Sequence, residues 1–209
     1  MQDLSTEERT KRVDIVAEYG GILRQTEAFY IQSIIYCAQC AESAFSSYDE
    51  CLAEGASPTT TVSKIHEALS HVAALSRFFW PVRSKSKLHS SRAERLKKAF
   101  LISDTSPLID KNLRELRNAL EHFDERLDEF LLKNDTGQFF PTPIVDDSEN
   151  ALESTAKIFK LVDPERHVFI ILGEKFDFSG VRDAIDQILQ KSVEFNEEGR
   201  LPLKSTSCG

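Results

Sequence analysis

The chain has few residues of the kinds that interrupt regular structure or cross membranes. Only 8 glycines and 7 prolines occur among 209 residues, too few for a disordered or loop-rich all-β protein. The longest unbroken apolar run, Val168–Leu172, is far shorter than the roughly 20 residues that a membrane helix needs. The polar segment Met1–Thr10 has no apolar stretch of the signal-peptide type. These absences predict a cytoplasmic globular protein without a membrane segment.

Several motifs of catalysis and metal binding are also missing. The sequence has no glycine-rich phosphate loop and no nucleophile elbow. His66 and His71 are five residues apart, about 140° around a helix, whereas a zinc-protease helix needs a spacing of four. Cys37 and Cys40 have redox-like spacing, but no second cysteine pair or nearby histidine completes a zinc site. We therefore expect no metal and no cofactor, and we interpret the four cysteines, including Cys208, as structural thiols.

Charge is unevenly distributed along the chain. The formal net charge of −8 argues against a protein that coats nucleic acid indiscriminately. The segment Arg83–Lys98 nevertheless has seven cations and one anion, Glu94, and so a local charge of +6. This segment is either a solvated loop and helix face or a phosphate-binding patch. The candidate RNA-binding residues in it are Arg83, Lys85, Lys87, Arg92 and Arg95.

The spacing of apolar residues predicts helices over the first 135 or so positions. A capping-box pattern at Ser5–Glu8 predicts a short helix that Gly20 and Gly21 should end or kink. Further helices are predicted at Ile22 to about Ala53, Thr60–Trp80, about Ser91–Leu101, and Leu108–Leu132. The last has the strongest pattern, with steps of four and three at Ile109, Leu113, Leu116, Leu120, Phe123, Leu127 and Phe130. One continuous helix is expected there.

After Gly137 the apolar period changes to that of strands. A three-stranded antiparallel meander is predicted, followed by a helix at Val181 to about Phe195. The strands are expected at Ile158–Val162, His167–Leu172 and Lys175–Phe178. Such a meander is too small to hold a core alone, so it should pack on the helices or form an additional dimer surface. The predicted fold class is mainly α (α+β): an antiparallel helical bundle at 1–137 and a meander-plus-helix appendage at 138–209, packing on the bundle.

The run from Arg117 to His122 gathers an arginine, an amide and a histidine on the strongest helix. At 100° per residue, Asn118 is about 180° and His122 about 140° from the apolar stripe, so Arg114, Asn118, His122 and Glu125 are expected along one outer face, while Arg117 flanks the stripe. Arginine can hold a phosphodiester, histidine can transfer a proton near neutral pH, and asparagine can orient either group. Cleavage of RNA by its own 2′-hydroxyl needs these groups and no metal. A solvated helix face with ion pairs is the alternative interpretation.

The same run resembles the Arg-x4-His motif of the HEPN superfamily, and the resemblance covers roughly Gln25 to Lys133. It implies a HEPN-like helical bundle and a metal-independent endoribonuclease of toxin or defence type. In that family the motif helices of two subunits usually meet, so that one cleft holds both copies of the motif. By this resemblance Arg117 would bind and polarise the scissile phosphate, His122 would be the general base or acid, and Asn118 would position it.

The chain departs from many toxin members, which have tyrosine two residues after the histidine, because Asp124 is at that position. Asp124 would either orient a protonated His122 or repel RNA. Glu42 is the candidate buried partner of Arg117 across the bundle. The superfamily also contains members that only bind nucleotides or partners, so a non-catalytic interaction or nucleotide-binding module is the alternative. The implied partners are a second copy of the chain through the motif helix, RNA, and an antitoxin or nucleotidyltransferase.

Overall fold

The computed structural model describes residues 3–151, 155–198 and 200–201; Cys208 and the rest of the C-terminal tail lie outside the described residues. The described chain is mainly helical, with a small strand region and a C-terminal helix, as the sequence predicts. The elements are α1 (Thr6–Glu18), α2 (Glu27–Ala53), α3 (Pro58–Phe79), α4 (Lys87–Ala99), α5 (Lys111–Glu121), α6 (Phe123–Lys133), β1 (Gln138–Phe140), β2 (Ile144–Val145), α7 (Ser148–Ala151), β3 (Ala156–Ile158), β4 (Lys160–Asp163), β5 (Val168–Ile171), β6 (Glu174–Asp177) and α8 (Val181–Glu198). Among the described helices, none is both long and apolar enough to span a membrane.

Local sequence signals explain how α1 begins and ends. Ser5 forms the predicted capping box with Glu8, in which each residue bonds the backbone N–H of the other. Gly20 and Gly21 follow the helix with φ of 75° and 77°, a left-handed conformation that glycine adopts without a side-chain clash. A Cβ on Gly21 would lie 2.3 Å from the backbone nitrogen of Arg92, so the glycine also allows α1 to approach α4 closely.

The predicted helix at Leu108–Leu132 is wrong as a continuous element. A short 3-10 turn occupies Pro107–Ile109, and Asp110 then caps α5 by accepting a hydrogen bond from the Asn112 backbone. His122, with φ −113° and ψ 38°, separates α5 from α6, although its N–H still bonds the Asn118 carbonyl at 3.1 Å. The break coincides with a change of packing partner, because the Phe123 ring packs edge-on against Phe159 of the strand region.

The strand region contains the predicted meander and two further strand pairings. Strands β4, β5 and β6 pair antiparallel in that order, as predicted. Two features were not predicted: β2 pairs parallel to β4, and β1 forms a separate parallel pair with β3. Strands of two or three residues are too short to have a recognisable apolar period, and parallel pairing joins segments that are distant in sequence.

The main core joins the helices to one face of the sheet, and a second, smaller cluster contains Ile158, Leu161, Val168 and Ile170. The main core includes the α2 and α3 stripes, one face of the sheet and the inner side of α8. Phe169 and Phe176 are buried in it from the sheet, and Ile188 from α8. Arg182 on α8 binds Asp49 on α2 through two bonds of 2.5 and 2.7 Å. The sheet therefore packs on the helices, and its β5–β6 turn lies near the joint between α5 and α6.

Candidate functional site

The predicted site residues lie on two different sides of α5. Asn118 and His122 line an open cleft between the α5–α6 joint and the β5–β6 turn, here called the cleft side. Arg114, Arg117 and Glu121 face the end of α3 around Trp80, here called the Trp80 side. The structure therefore brings Asn118 and His122 together and separates both from the Arg117 side chain.

The cleft has a volume of about 670 Å³. One wall is α5 and α6, and the other is the β5–β6 hairpin, whose turn residues Leu172 and Gly173 have φ of 51° and 78°. Positive φ at both central residues is typical of a type I′ hairpin turn. The lining residues are Asn118, Ala119, His122, Glu125, Arg126, Glu129, Phe130, Lys133, Asn134, Ile171, Leu172 and Glu174.

His122 is the accessible proton-transfer group of the cleft. Its side chain is 60% exposed, and its Nδ1 lies 3.6 Å from Oε2 of Glu125. Asp124, the residue that departs from the family pattern, is exposed in the first turn of α6. Glu125 rather than Asp124 is therefore the carboxylate within ion-pair distance of His122. Among the described residues, no contact between Asp124 and His122 supports the expectation that Asp124 orients the histidine. Glu125 is placed to orient the imidazole.

The cations of the cleft are already paired with carboxylates. Arg126 forms an ion pair with Glu174 across the cleft, and Lys133 lies 3.1 Å from Glu129 within α6. With Glu125 the lining has three carboxylates against these two permanent cations. The cleft alone therefore does not attract a polyanion.

Arg117 lies enclosed on the Trp80 side, with 3% of its surface exposed. Its Nη1 donates to the Trp80 carbonyl oxygen at 3.5 Å, and no hydrogen-bond acceptor among the described residues reaches its Nε. Burial, together with the charges of Arg77 and Arg114, lowers the pKa of Arg117 below its usual range. A buried cation whose Nε has no acceptor among the described residues, and on which two further cations act, is an electrostatically unfavourable arrangement.

The expected partnership of Glu42 with Arg117 is wrong. Glu42 is exposed on α2, accepts a hydrogen bond from Ser46 at 3.4 Å and borders a small hollow against α8. Helical geometry explains this, because Ala41 and Ala44 occupy the buried face of α2 and Glu42 lies beside it. The buried carboxylate of α2 is instead Glu27, 2% exposed, and it binds Arg95.

Of the five predicted phosphate-binding residues, three contact other parts of the protein and the other two are exposed. Arg95 donates to Glu27 and to two backbone carbonyls near the end of α1, so it fastens α1, α2 and α4 together. Arg92 donates to the Arg77 carbonyl at 3.3 Å, and Lys87 lies 3.2 Å from Asp14. Arg95 is therefore a structural residue and not part of an RNA patch. The contacts of Arg92 and Lys87 also weaken the case for these two residues. The remaining two, Arg83 and Lys85, are exposed.

Sequence reasoning missed the residues that surround Arg117. Arg77 pairs with Glu121, and the Arg114 guanidinium lies 5.3 Å from the centre of the Trp80 ring. Glu121 is four residues after Arg117, so it shares that side of α5 and could have been assigned there by helical spacing. The contact with α3 depends on tertiary packing and had no local sequence signal.

The described part of the chain was also compared with the side-chain arrangements that metal sites and reactive thiols need. No cluster of three or more histidine, cysteine, aspartate or glutamate side chains there is placed to hold a metal ion. Cys37, Cys40 and Cys51 are free and half-buried. Burial raises the pKa of the Cys37 thiol, and Cys40 adds to this effect, which is the opposite of what a reactive redox thiol needs.

Comparison of the chain with protein-family models, with curated proteins and with solved structures finds no significant match in any of the three.

Proposed function

We propose that this protein is a HEPN-like, metal-independent endoribonuclease in which His122 transfers the proton. The observation that supports this most directly is that His122 is exposed in an open cleft beside Asn118, within ion-pair distance of Glu125. A phosphodiester can reach this imidazole without any rearrangement of the core. The proposal combines this accessibility with the motif resemblance of Arg117 to His122.

The proposed reaction needs one proton acceptor and one proton donor. A neutral imidazole takes the proton of the 2′-hydroxyl, whose oxygen forms a bond to phosphorus as the bond from phosphorus to the 5′-oxygen breaks. A protonated imidazole gives a proton to the leaving 5′-oxygen. Each chain has one His122, so a homodimer that joins two cleft sides would supply both groups. The products are a 2′,3′-cyclic phosphate and a 5′-hydroxyl, which conserve all atoms without added water.

Arg117 has a different part in this proposal from the one that the family pattern suggests. Its guanidinium is enclosed and bonded to the Trp80 carbonyl, so it acts through its positive charge and by positioning α5. Direct contact with the phosphate would require that bond to open. Asn118, half-buried at the edge of the cleft, lies four residues before His122 on the same side and can orient the substrate or the imidazole.

The test is RNA cleavage in the presence of EDTA. Purified protein should cleave RNA, and His122→Ala should lower the rate by about 10²- to 10⁴-fold, the usual contribution of a general acid or base. His71→Ala, which removes a half-buried histidine of α3 outside the cleft, is the matched control and should retain the parental rate. Equal rates for the parent and His122→Ala would contradict the mechanism.

A second candidate is a non-catalytic interaction or nucleotide-binding module. The paired cations of the cleft and the enclosed Arg117 favour it, because neither arrangement offers a free cation to a scissile phosphate. Under this alternative the parent protein does not cleave RNA in EDTA, whereas mononucleotides raise its unfolding temperature, and tighter-binding ones raise it more. Cleavage by the parent with no nucleotide-dependent stabilisation would reject it.

A further inference from the structure

The Trp80 side of α5 continues into a wider surface on which cations outnumber anions. Arg92 reaches the Arg77 carbonyl, Arg77 and Arg114 both act electrostatically on Arg117, and His89 lies near Arg92 and Arg83. We name this set the Trp80 surface, and its members are Arg77, Arg83, His89, Arg92, Arg114 and, beneath them, Arg117. The named anions near it are already engaged, since Glu121 pairs with Arg77 and Glu94 pairs with Lys97 at 2.5 Å.

Arg117 indicates that this surface is organised to receive negative charge. Its side chain is more than nine-tenths buried, its Nε has no acceptor in the described part of the chain, and its electrostatic neighbours there are cations. A buried, unpaired charge costs free energy that an opposite charge nearby would offset. An anion bound between Arg77 and Arg114 would supply that opposite charge.

The shape of the surface favours a chain of phosphates over a single small ligand. The hollow beside Trp80 is only about 260 Å³ and is lined largely by Phe79, Trp80, Pro81 and other uncharged residues; its two charged lining residues, Glu94 and Lys97, pair with each other at 2.5 Å. This is a poor receptor for a nucleotide phosphate. The cations of the Trp80 surface are not among its lining residues and extend from the loop after α3 to the exposed side of α5. Polyanions bind such extended rows of arginine and lysine, and exposed aromatic groups give stacking contacts to unpaired bases.

We propose that the Trp80 surface binds the phosphodiester backbone of single-stranded RNA and directs it toward the cleft. Arg114 and Asn118 are one helical turn apart on α5, and the backbone distance from Arg114 to His122 is about 12 Å at the helical rise. This is a span of about two nucleotides. The half-buried Trp80 ring, stacked with Arg114, is placed to contact a base. The identity of the polyanion as RNA rests on the proposed function, but the binding site does not depend on catalysis.

The experiment measures RNA binding separately from cleavage. The full-length His122→Ala variant is titrated against a fluorescein-labelled single-stranded RNA of about 12 nucleotides, using fluorescence anisotropy over a series of salt concentrations. Into that background we would introduce R83E/R114E on the Trp80 surface, or K64E/K175E as the matched control. Lys64 on α3 and Lys175 on β6 are outside the Trp80 surface and the cleft, and their reversal changes the net charge equally.

We expect R83E/R114E to weaken binding by about tenfold or more and to lower the slope of log Kd against log salt by about 1.4, or 0.7 for each lost phosphate contact. The control should keep the parental affinity. Equal loss in both double variants, no loss in R83E/R114E, or no binding by the starting protein would overturn the proposal. Equal affinity for duplex DNA of the same length would overturn the assignment to single-stranded RNA. If R83E/R114E does not fold, R83Q/R114Q must show the same ranking against K64Q/K175Q.

The two proposals fail in different ways. If His122→Ala abolishes cleavage but R83E/R114E binds RNA normally, the endoribonuclease stands and the Trp80 surface does not. If the protein never cleaves RNA but R83E/R114E alone loses binding, the surface stands as a binding site and the catalytic proposal fails.

Discussion

The two sides of α5 share one short helix but differ in what holds their side chains. On the Trp80 side, Arg117 is enclosed against the end of α3, and Arg77 and Glu121 pair across the two helices. On the cleft side, His122 is exposed at a break in the helix, with a wall formed by the β5–β6 hairpin. Helices thus surround the arginine of the motif, while the sheet completes the environment of its histidine. Residues five apart on a helix point in directions about 140° apart, which is why one motif serves two environments.

The largest loss of unfolding free energy should come from Asp163→Asn, which weakens the sheet that forms the cleft wall. Asp163 is 1% exposed and accepts backbone hydrogen bonds from Ser148, Glu165 and Arg166 at 2.9 to 3.1 Å. Burial alone would raise the pKa of this carboxyl, but the hydrogen bonds outweigh it and lower the pKa to about 2. The variant should lose about 2 kcal/mol of unfolding free energy in urea at pH 7.

The pH dependence of the same residue has a definite sign. The folded pKa lies below the unfolded value, so the contribution of Asp163 is present above about pH 4 and is lost as the pH falls toward about 2. Asp163→Asn should lack this part of the acid limb in urea unfolding. Asp104→Asn should behave like the parent, because the Asp104 side chain is exposed rather than buried. Identical acid limbs for the parent and Asp163→Asn would show that the hydrogen bonds do not stabilise the charged form.

On the Trp80 side, Arg117→Met should change the unfolding free energy by a smaller amount. Replacing a buried unpaired cation with an apolar side chain of similar length removes one long hydrogen bond but also a desolvated charge. The unfolding free energy should therefore stay within about 1 kcal/mol of the parent. RNA binding and cleavage should nevertheless fall, because the positive charge is lost. A destabilisation above about 3 kcal/mol would mean that Arg117 has an anionic partner in the folded protein.

The smallest effect should come from two exposed ion pairs, one on each side of α5. Glu121→Gln releases Arg77 on the Trp80 surface, and Glu129→Gln releases Lys133 at the cleft. Exposed pairs contribute little, so each variant should unfold within about 0.5 kcal/mol of the parent. Glu121→Gln alone should bind single-stranded RNA more tightly, by about twofold, in low salt. Equal gains in both variants would mean that net charge, rather than the Trp80 surface, governs binding.

Much of the helical region was predictable from local patterns. The Ser5 capping box, the paired glycines after α1 and most of the long helix predicted to end near Ala53 were all confirmed. The antiparallel order of β4, β5 and β6 was also confirmed, since short turns join consecutive strands. The parallel strands β1, β2 and β3 were not predictable, because their partners are distant in sequence and their few residues have no measurable period.

Part of the candidate site could also be predicted. Helical spacing correctly assigned Asn118 and His122 to the outward side of α5 and Arg117 to the edge of its buried stripe. It also assigned Glu125 to that side, and the Glu125 carboxylate lies 3.6 Å from the His122 ring, but Arg114, assigned to the same side, instead lies over the Trp80 ring. It could not identify Arg77 and Trp80, which reach Arg117 only through the packing of α3 against α5.

By itself the sequence determined most of the helices, the meander and the outward direction of His122, because these follow from interactions between residues a few positions apart. Only the tertiary structure decided that Arg117 is enclosed, that Arg95 binds Glu27 rather than a ligand, and that a hairpin closes the cleft opposite His122. Burial and electrostatic environment depend on which distant segments pack together, and a local pattern does not contain that information.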